Sequence, residues 1–247
     1  MQTAHKAHPV DLTWPAGGVT RVPYQVFFDP AIHELEQEKL FRGPVWNYVA
    51  LEAELPNPGD FKATFVGDTP VVVTRDQEEV LHAFVNRCAH RGALVCRELR
   101  GNRATHVCVY HQQSYDLKGN LLGVPFRKGI DGKGGYPADF TPSQHSLHKL
   151  TVATYNELIF TFLGYEDDDE EMRSIRRKQA NLVGPAEYIS LEDGHAIELI
   201  QQAIVRDKDA CSFLEMGGRD VASQDNLVTE TAIRGFWHYY RGLIGFN

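Results

Sequence analysis

The segment CAHRGALVCRELRGNRATHVCVYHQQSYDLKGNLLGVP, from Cys88 to Pro125, contains two Cys/His pairs with the spacing of a metal site. The first pair is Cys88 and His90, the second is Cys108 and His111, and seventeen residues lie between them. That distance suits two loops at the tips of neighbouring hairpins. We therefore expect each loop to bring one thiol and one imidazole to a shared point.

The mixture of ligand types narrows the kind of metal centre. Structural zinc sites mostly take like ligands from each turn, as Cys-x2-4-Cys and His-x3-5-His pairs, and the mixed pairs fit that pattern less well. A [2Fe-2S] centre with two Cys on one iron and two His on the other needs this mixture. The residues therefore predict a Rieske cluster on Cys88, His90, Cys108 and His111, with a non-redox structural zinc protein as an alternative.

The text around these pairs resembles the Rieske domain of the large (alpha) subunit of aromatic-ring-hydroxylating oxygenases. The closest motifs are CAHRG (88–92), CVYH (108–111) and SYDLKGNLLGVPF (114–126). The similarity extends over most of the first 162 residues through WNYVALEAELPNPGDF (46–61), GDTPVVVTRD (67–76) and AFVNRCAHRG (83–92). Two further segments resemble one branch of the family, namely GVPFRKG (123–129) and GGYPADF (134–140). That branch oxidises anthranilate, salicylate and related ortho-substituted benzoates.

The resemblance implies an α+β fold in three parts. These are an N-terminal arm and helix (1–45), a mainly antiparallel β Rieske [2Fe-2S] domain (46–162) and a helical remnant of the catalytic domain (163–247). It also implies an electron-donating ferredoxin or reductase as a partner, and a homo-oligomer or a hetero-oligomer with a small beta subunit. The family places a Trp where this chain has Gln113. We expect Gln113 to admit water and weaken the cluster, although its amide could instead donate to a cluster sulfur.

The family also holds a mononuclear Fe(II) through two His on one helix and a distant carboxylate. No Asp-x2-His-x4-His pattern occurs in the sequence, and only His195 and His238 follow Phe162. We interpret this as an internal deletion near Phe162 that removes the central catalytic sheet. The chain alone is therefore predicted to carry electrons without hydroxylating a ring, and no catalytic residue is assigned. A stand-alone Rieske ferredoxin-like electron carrier is a second alternative, but it would end soon after residue 162.

Composition excludes several classes of function. The net charge of -8 and a charged content of 23% leave no basic stripe for nucleic acid and no polybasic membrane anchor. No apolar run reaches the length of a membrane span, and residues 1–14 lack the apolar core of a signal peptide. A cytoplasmic protein is expected, with Cys96 and Cys211 as free thiols.

Local patterns predict the secondary structure before the cluster loops. Residues 1–22 should be a mobile arm in which His5 and His8 are solvated. Asp29-Pro30 caps a predicted helix over 30–42. Strands are expected from Trp46 to about Arg87.

Strands are also expected beside and after the loops. The predicted segments are VCRE (95–98), THVCVY (105–110) and HKLTVATYNELIFTF (148–162), the last with a turn at Asn156-Glu157. His106 is expected on the surface of its strand. It is not a ligand, because it lies five residues before His111 on an extended segment and so faces the other way.

Three helices are predicted in the C-terminal part. The acidic run at 166–171 followed by basic residues indicates a solvated helix. Ser190 caps a second helix over 191–204, and Thr229 caps the last. The last helix carries a stripe expected to face a core, namely Ile233, Phe236, Trp237, Tyr240 and Ile244.

Overall fold

The computed structural model describes residues 12–131, 133–163, 199–204, 209–222 and 228–246. The chain divides into two compact units, one formed by Met1–Leu40 with Gly184–Asn247 and the other by Phe41–Val183. The predicted helix over the acidic segment, the Ser190 cap, and His5, His8 and His195 lie outside the described residues. No helix within the described ranges is long and apolar enough to cross a bilayer.

Short strands dominate the described secondary structure. The strands are β1 Arg21–Pro23, β2 Trp46–Leu51, β3 Asp60–Val66, β4 Thr69–Arg75, β5 Leu81–Val85, β6 Arg100–Asn102, β7 Thr105–Val107, β8 Ser114–Asp116, β9 Leu121–Gly123, β10 Lys149–Tyr155, β11 Leu158–Phe162 and β12 Cys211–Phe213. The helices are α1 Pro30–Glu36 and α2 Thr231–Ile244, and residues 199–204 are also helical. The predicted α+β class with mainly antiparallel strands is confirmed.

The second unit contains two antiparallel sheets. Seven strands pair in the order β2-β11-β10-β5-β4-β3-β6, and three pair in the order β7-β8-β9. Side chains alternate across the larger sheet. Val71 and Val73 of β4 join one buried cluster, whereas Val72 joins another cluster that also contains Cys88 and Cys108. One face of the sheet therefore packs directly against the Cys/His loops.

The sequence predicted most of these strands but not the segment between the two Cys/His pairs. The β10–β11 hairpin turns at Asn156 and Glu157, which both have positive φ, as expected. VCRE (95–98) is not a strand, because the N–H groups of Val95 and Cys96 donate to the side chain of Asn86 instead of to a neighbouring strand. THVCVY is a strand only over Thr105–Val107.

The first unit begins with residues that were predicted to form a mobile arm. For residues 12–22 that prediction is wrong, because Trp14 and Val22 are buried. Strand β1 pairs with β12, which brings Val22 opposite Ser212. The helix predicted over 30–42 is confirmed as α1 followed by a π turn over Gln37–Phe41, with the side chain of Asp29 accepting from the N–H of Ala31.

Helix α2 begins close to the predicted cap. The hydroxyl of Thr229 accepts from the N–H of Thr231, with Glu230 between them at the N-cap. The buried face differs from the predicted stripe. Its later members Trp237, Tyr240 and Ile244 are buried as expected, but the two earlier ones are partly exposed, Ile233 at 46% and Phe236 at 44%.

Arg234 takes the buried position on the first turns of α2. It is fully buried and donates to the backbone oxygens of Asp220, Leu214 and Met216 and to the hydroxyl of Thr231. A guanidinium can be buried when its N–H groups find acceptors, and the loop 214–220 supplies three of the four acceptors found here. The predicted apolar stripe was wrong here because the loop's carbonyl groups, not apolar side chains, cover this part of the helix.

Candidate metal centre

The two Cys/His loops fold as the same turn. In the first loop the N–H of Cys88 donates to the backbone oxygen of Ala93, and the N–H of Gly92 donates back to that of Cys88, at 2.8 and 2.9 Å. In the second loop Cys108 makes the matching pair of bonds with Gln113 and Gln112, both at 2.9 Å. Each cysteine is therefore held at the base of a closed loop, with its histidine on the loop itself.

The fourth residue after each cysteine has a left-handed backbone. Gly92 has φ +76° and Gln112 has φ +56°. Glycine adopts this conformation without steric cost, whereas glutamine is strained there. The two loops share this turn. The shared turn could not be recognised from the sequence, because only the first loop has a glycine at this position.

The structure separates the two kinds of ligand by depth. Cys88 and Cys108 are buried in one cluster, at 4% and 1% exposure, whereas His90 is exposed and His111 is partly exposed. The two imidazole rings lie edge to face, with their centroids 4.6 Å apart. The two loops therefore bring the thiols together inside and the imidazoles together outside.

The surroundings of His111 shape the outer surface. The ring of Tyr110 lies 3.9 Å from that of His111, and the guanidinium of Arg91 lies 5.8 Å from the centroid of Tyr110. Partial burial, and then electrostatic interaction with His90 and Arg91, lower the pKa of His111. The ring therefore tends to be neutral, which is the form in which imidazole binds a metal.

Tyr115 is a site residue to which the sequence assigned no role. It is fully buried, its hydroxyl lies 3.2 Å from Sγ of Cys88, and it accepts from the N–H of Ala89 at 3.2 Å. Burial and then the hydrogen bond with Cys88 raise the pKa of Tyr115. The hydroxyl therefore keeps its proton. The only signal in the sequence was its place in SYDLKG, directly after the second Cys/His pair.

Gln113 is buried beside Cys88. The expectation that it admits water came from the polar amide that stands in place of the family's Trp, and the residue is only 4% exposed. The carboxamide oxygen accepts from the hydroxyl of Tyr115 at 3.0 Å, and the carboxamide nitrogen lies 3.5 Å from that of Tyr136. Both ends of the amide therefore have protein partners.

His106 does not lie on the surface, so that prediction is wrong. It is fully buried, pairs with Tyr115 across β7 and β8, and packs edge-on against Phe61 and Phe84. Neither ring nitrogen has a hydrogen-bond partner among the described residues. Burial and then the charge of Arg103 lower the pKa of His106 to about 4. The strand is too short to show its buried face by alternation alone.

The donor set fits a Rieske cluster. Within the described parts of the chain, no three His, Cys, Asp or Glu side chains converge as the ligands of one metal ion. The residues form two pairs instead. A [2Fe-2S] cluster takes two protein ligands on each iron, so a buried thiol pair and a surface imidazole pair match its two ends.

Comparison with known proteins relates this chain to Rieske-type oxygenases. The Rieske [2Fe-2S] domain family matches residues 45–145, a range that includes both loops. The chain is 34% identical to the anthranilate 1,2-dioxygenase large subunit of Burkholderia cepacia, with 96% of each chain covered. It is 26% identical to the large oxygenase component of salicylate 5-hydroxylase of Ralstonia sp, with 96% of this chain and 97% of the relative covered.

The relatives are longer than this chain. The alignment with the Burkholderia protein runs over 406 residues, whereas this chain has 247 residues. The alignment covers 96% of both chains from end to end, but 247 residues cannot fill 406 positions, so it contains gaps in this chain, which is consistent with the predicted internal deletion.

Solved structures share the fold of part of the chain. Naphthalene 1,2-dioxygenase from Rhodococcus sp. bound to indole has a TM-score of 0.54 at 32% identity, covering 61% of this chain and 33% of that one. The apo form of a quaternary ammonium Rieske monooxygenase has a TM-score of 0.55 at 22% identity, covering 70% of this chain and 50% of that one. The chain thus spans between a third and a half of these two structures.

Proposed function

This chain belongs to the family of ring-hydroxylating dioxygenase large subunits that carry a Rieske [2Fe-2S] domain, and from this premise we propose that it is the electron-transfer part of such an oxygenase. Cys88 and Cys108 hold the inner iron of the cluster, and His90 and His111 hold the outer iron. The cluster, when bound, takes up and passes on one electron at a time.

The observation that carries this proposal is the placing of the four side chains. Two equivalent loops supply one cysteine and one histidine each, and the thiols lie inside while the imidazoles lie outside. The buried side chains that pack around Cys88 and Cys108 keep water away from the two thiols. The imidazole end reaches the surface beside Tyr110, where an electron has the shortest route to a partner.

We propose the domain limits that the sequence predicted. The Rieske domain extends over 46–162, preceded by an arm and helix (1–45) and followed by a remnant of the catalytic domain (163–247). The strands from Trp46 to Phe162 support these limits, because they form two antiparallel sheets around the two loops.

We assign partners and substrate class by family relationship. The partners are an electron-donating ferredoxin or reductase, together with further copies of the chain or a small beta subunit. Relatives named for anthranilate and salicylate support an ortho-substituted benzoate as the substrate of the assembled oxygenase. The chain alone carries electrons but does not hydroxylate a ring, because His195 and His238 lack the paired spacing of a mononuclear iron site.

Reconstitution tests the proposal directly. The purified chain is loaded with iron and sulfide without oxygen, its iron, sulfide and zinc are counted, and its visible and EPR spectra are recorded. We expect about two irons per chain and the spectrum of a cluster with mixed Cys and His ligands. A colourless protein that retains zinc would establish the structural zinc alternative instead.

An activity assay tests the second half of the proposal. The loaded chain is given NADH, a reductase and either anthranilate or salicylate. We expect the cluster to be reduced without any hydroxylated product, because oxygen activation needs a metal with open positions near the substrate. Three irons per chain together with a coupled product would overturn this part.

A further inference from the structure

Gln113 lies with its carboxamide beside the sulfur of a proposed ligand. Its oxygen is 3.0 Å from the hydroxyl of Tyr115 and 3.6 Å from Sγ of Cys88. Its nitrogen is 3.5 Å from the hydroxyl of Tyr136. Two phenol groups and one sulfur therefore surround a single buried amide.

The protonation state of Cys88 decides which end of this amide can face the sulfur. A thiol donates its proton, so the carboxamide oxygen is a suitable neighbour for it. An iron-bound thiolate has no proton and acts only as an acceptor. The oxygen of Gln113 and the sulfur of Cys88 would then be two acceptors side by side. The hydroxyl of Tyr115 lies near both but has only one proton to donate.

A half-turn of the carboxamide removes this conflict, because it exchanges the positions of nitrogen and oxygen. The nitrogen of Gln113 then donates toward Sγ of Cys88 and toward the hydroxyl oxygen of Tyr115. The proton of Tyr115 is free for the sulfur. Tyr136 donates to the amide oxygen, since a phenol can donate as well as accept. Each polar group keeps a partner, and the sulfur has two donors.

We propose that Gln113 is a positioning residue that turns its amide N–H toward the sulfur of Cys88 in the cluster-bound protein, and so raises the reduction potential. The inference rests on the function proposed above. Reduction adds one electron, supplied by the ferredoxin or reductase, to the cluster. Hydrogen-bond donors to a ligand sulfur stabilise the more negative reduced state.

The sign of one measurement separates the two orientations of the amide. If the nitrogen faces Cys88, removing the amide deletes a donor, and the midpoint potential falls. If the oxygen faces Tyr115, the amide withdraws the phenol proton from the sulfur, and its removal raises the potential. We expect the midpoint potential to fall in Gln113→Leu and in Gln113→Met, whose side chain has nearly the same length.

Two further variants complete the set. Tyr115→Phe should also lower the potential, since it removes the other donor to Cys88. Gln144→Leu is the matched control, because Gln144 is exposed and makes no described contact with the loops. The midpoint reduction potential of Gln144→Leu should equal that of the wild type.

A second measurement needs no change at Gln113. Glutamine side chains are labelled with 15N, and the reduced cluster is studied by pulsed EPR. We expect a hyperfine coupling to an amide 15N that persists in Gln112→Leu, whose own side chain is exposed. Absence of the coupling in the loaded wild type would overturn the inference.

The outcomes also separate this inference from the proposed function. A wild-type chain that binds no cluster after reconstitution contradicts the function itself. A loaded wild type, with an unchanged or higher potential in both Gln113 variants, contradicts only the assigned orientation of the amide.

Discussion

The imidazole rings of His90 and His111 lie edge to face, with their planes at 68° and their centroids 4.6 Å apart, although they come from different loops. Each ring follows a cysteine whose backbone closes an identical turn. Because each loop supplies one proposed ligand to each iron, we expect the loss of a proposed ligand from either loop to leave one iron with a single protein ligand.

Replacing a proposed ligand should abolish the cluster. In Cys108→Ser we expect iron content and visible absorption to fall to near zero, because a hydroxyl replaces the thiolate of the inner iron. Cys96→Ser is the control. Cys96 is also a buried free thiol, but its sulfur donates only to the backbone oxygen of Glu98. A cluster-loaded Cys108→Ser protein with an unaltered spectrum would contradict the ligand assignment.

Exchanging the residues at positions 92 and 112 should change the free energy of unfolding in opposite directions, with glycine stabilising one loop and glutamine destabilising the other. Gln112→Gly relieves a left-handed strain of about 1–2 kcal/mol, partly offset by about 0.5–1 kcal/mol for the greater freedom of glycine in the unfolded chain. We expect a net gain of about 0.5 kcal/mol in the free energy of unfolding from these two terms.

Gly92→Gln is the reciprocal experiment. A Cβ at Gly92 would lie 3.7 Å from the side chain of Arg87, which is ordinary contact, so only backbone strain is introduced. A loss of about 0.5 kcal/mol is expected for the same reason. Urea unfolding of the metal-free protein measures the free energy of unfolding of each variant. If both variants are stabilised, or both destabilised, left-handed backbone strain does not explain the difference between the loops.

The burial of His106 should make stability depend on acidity. Its pKa is lowered to about 4 in the folded chain from an ordinary value near 6.5, so the unfolded chain binds more protons between these limits. Stability is therefore full above about pH 6.5 and declines as the pH falls toward 4, by on the order of 3 kcal/mol.

His106→Leu tests this dependence. Leucine has a similar volume and no unpartnered ring nitrogens, so we expect a gain of about 1 kcal/mol at pH 7. The acid dependence between pH 4 and 6.5 should become shallower in urea unfolding curves. An unchanged slope would show that other groups cause it.

The buried guanidinium of Arg234 should be sensitive even to lysine. Lysine has three donors in place of five and cannot reach the oxygens of Asp220, Leu214 and Met216 together, so buried acceptors lose their partners. We expect Arg234→Lys to lower the free energy of unfolding by about 2–3 kcal/mol.

Tryptophan fluorescence can follow this effect in the first unit. A Trp46→Phe background leaves Trp14 and Trp237, which both belong to that unit. Arg219→Lys is the control, because Arg219 has a 76% exposed side chain and, among the described residues, its side chain bonds to Glu215 alone. Equal effects of the two lysine substitutions would contradict the role given to burial.

The sequence predicted the features that depend on local patterns. Short β-branched and aromatic runs separated by turn-forming residues predicted the strands over 46–85 and 148–162, and Asp29-Pro30 predicted the start of α1. The four proposed ligands were identified from spacing alone. Ligand chemistry restricts residue type and separation so strongly that no tertiary information was needed to select Cys88, His90, Cys108 and His111.

Tertiary structure alone decided which polar side chains are buried. His106 was predicted on the surface, and nothing in the sequence indicated that Gln113 and Arg234 would be buried, yet all three are buried. Each is surrounded by residues distant in sequence, such as Phe61 and Phe84 around His106. Hydrogen-bond partners and packing partners determine the cost of burial, and those partners come from other elements. The sequence therefore determined which four residues are the proposed ligands, while only the fold decided what surrounds them.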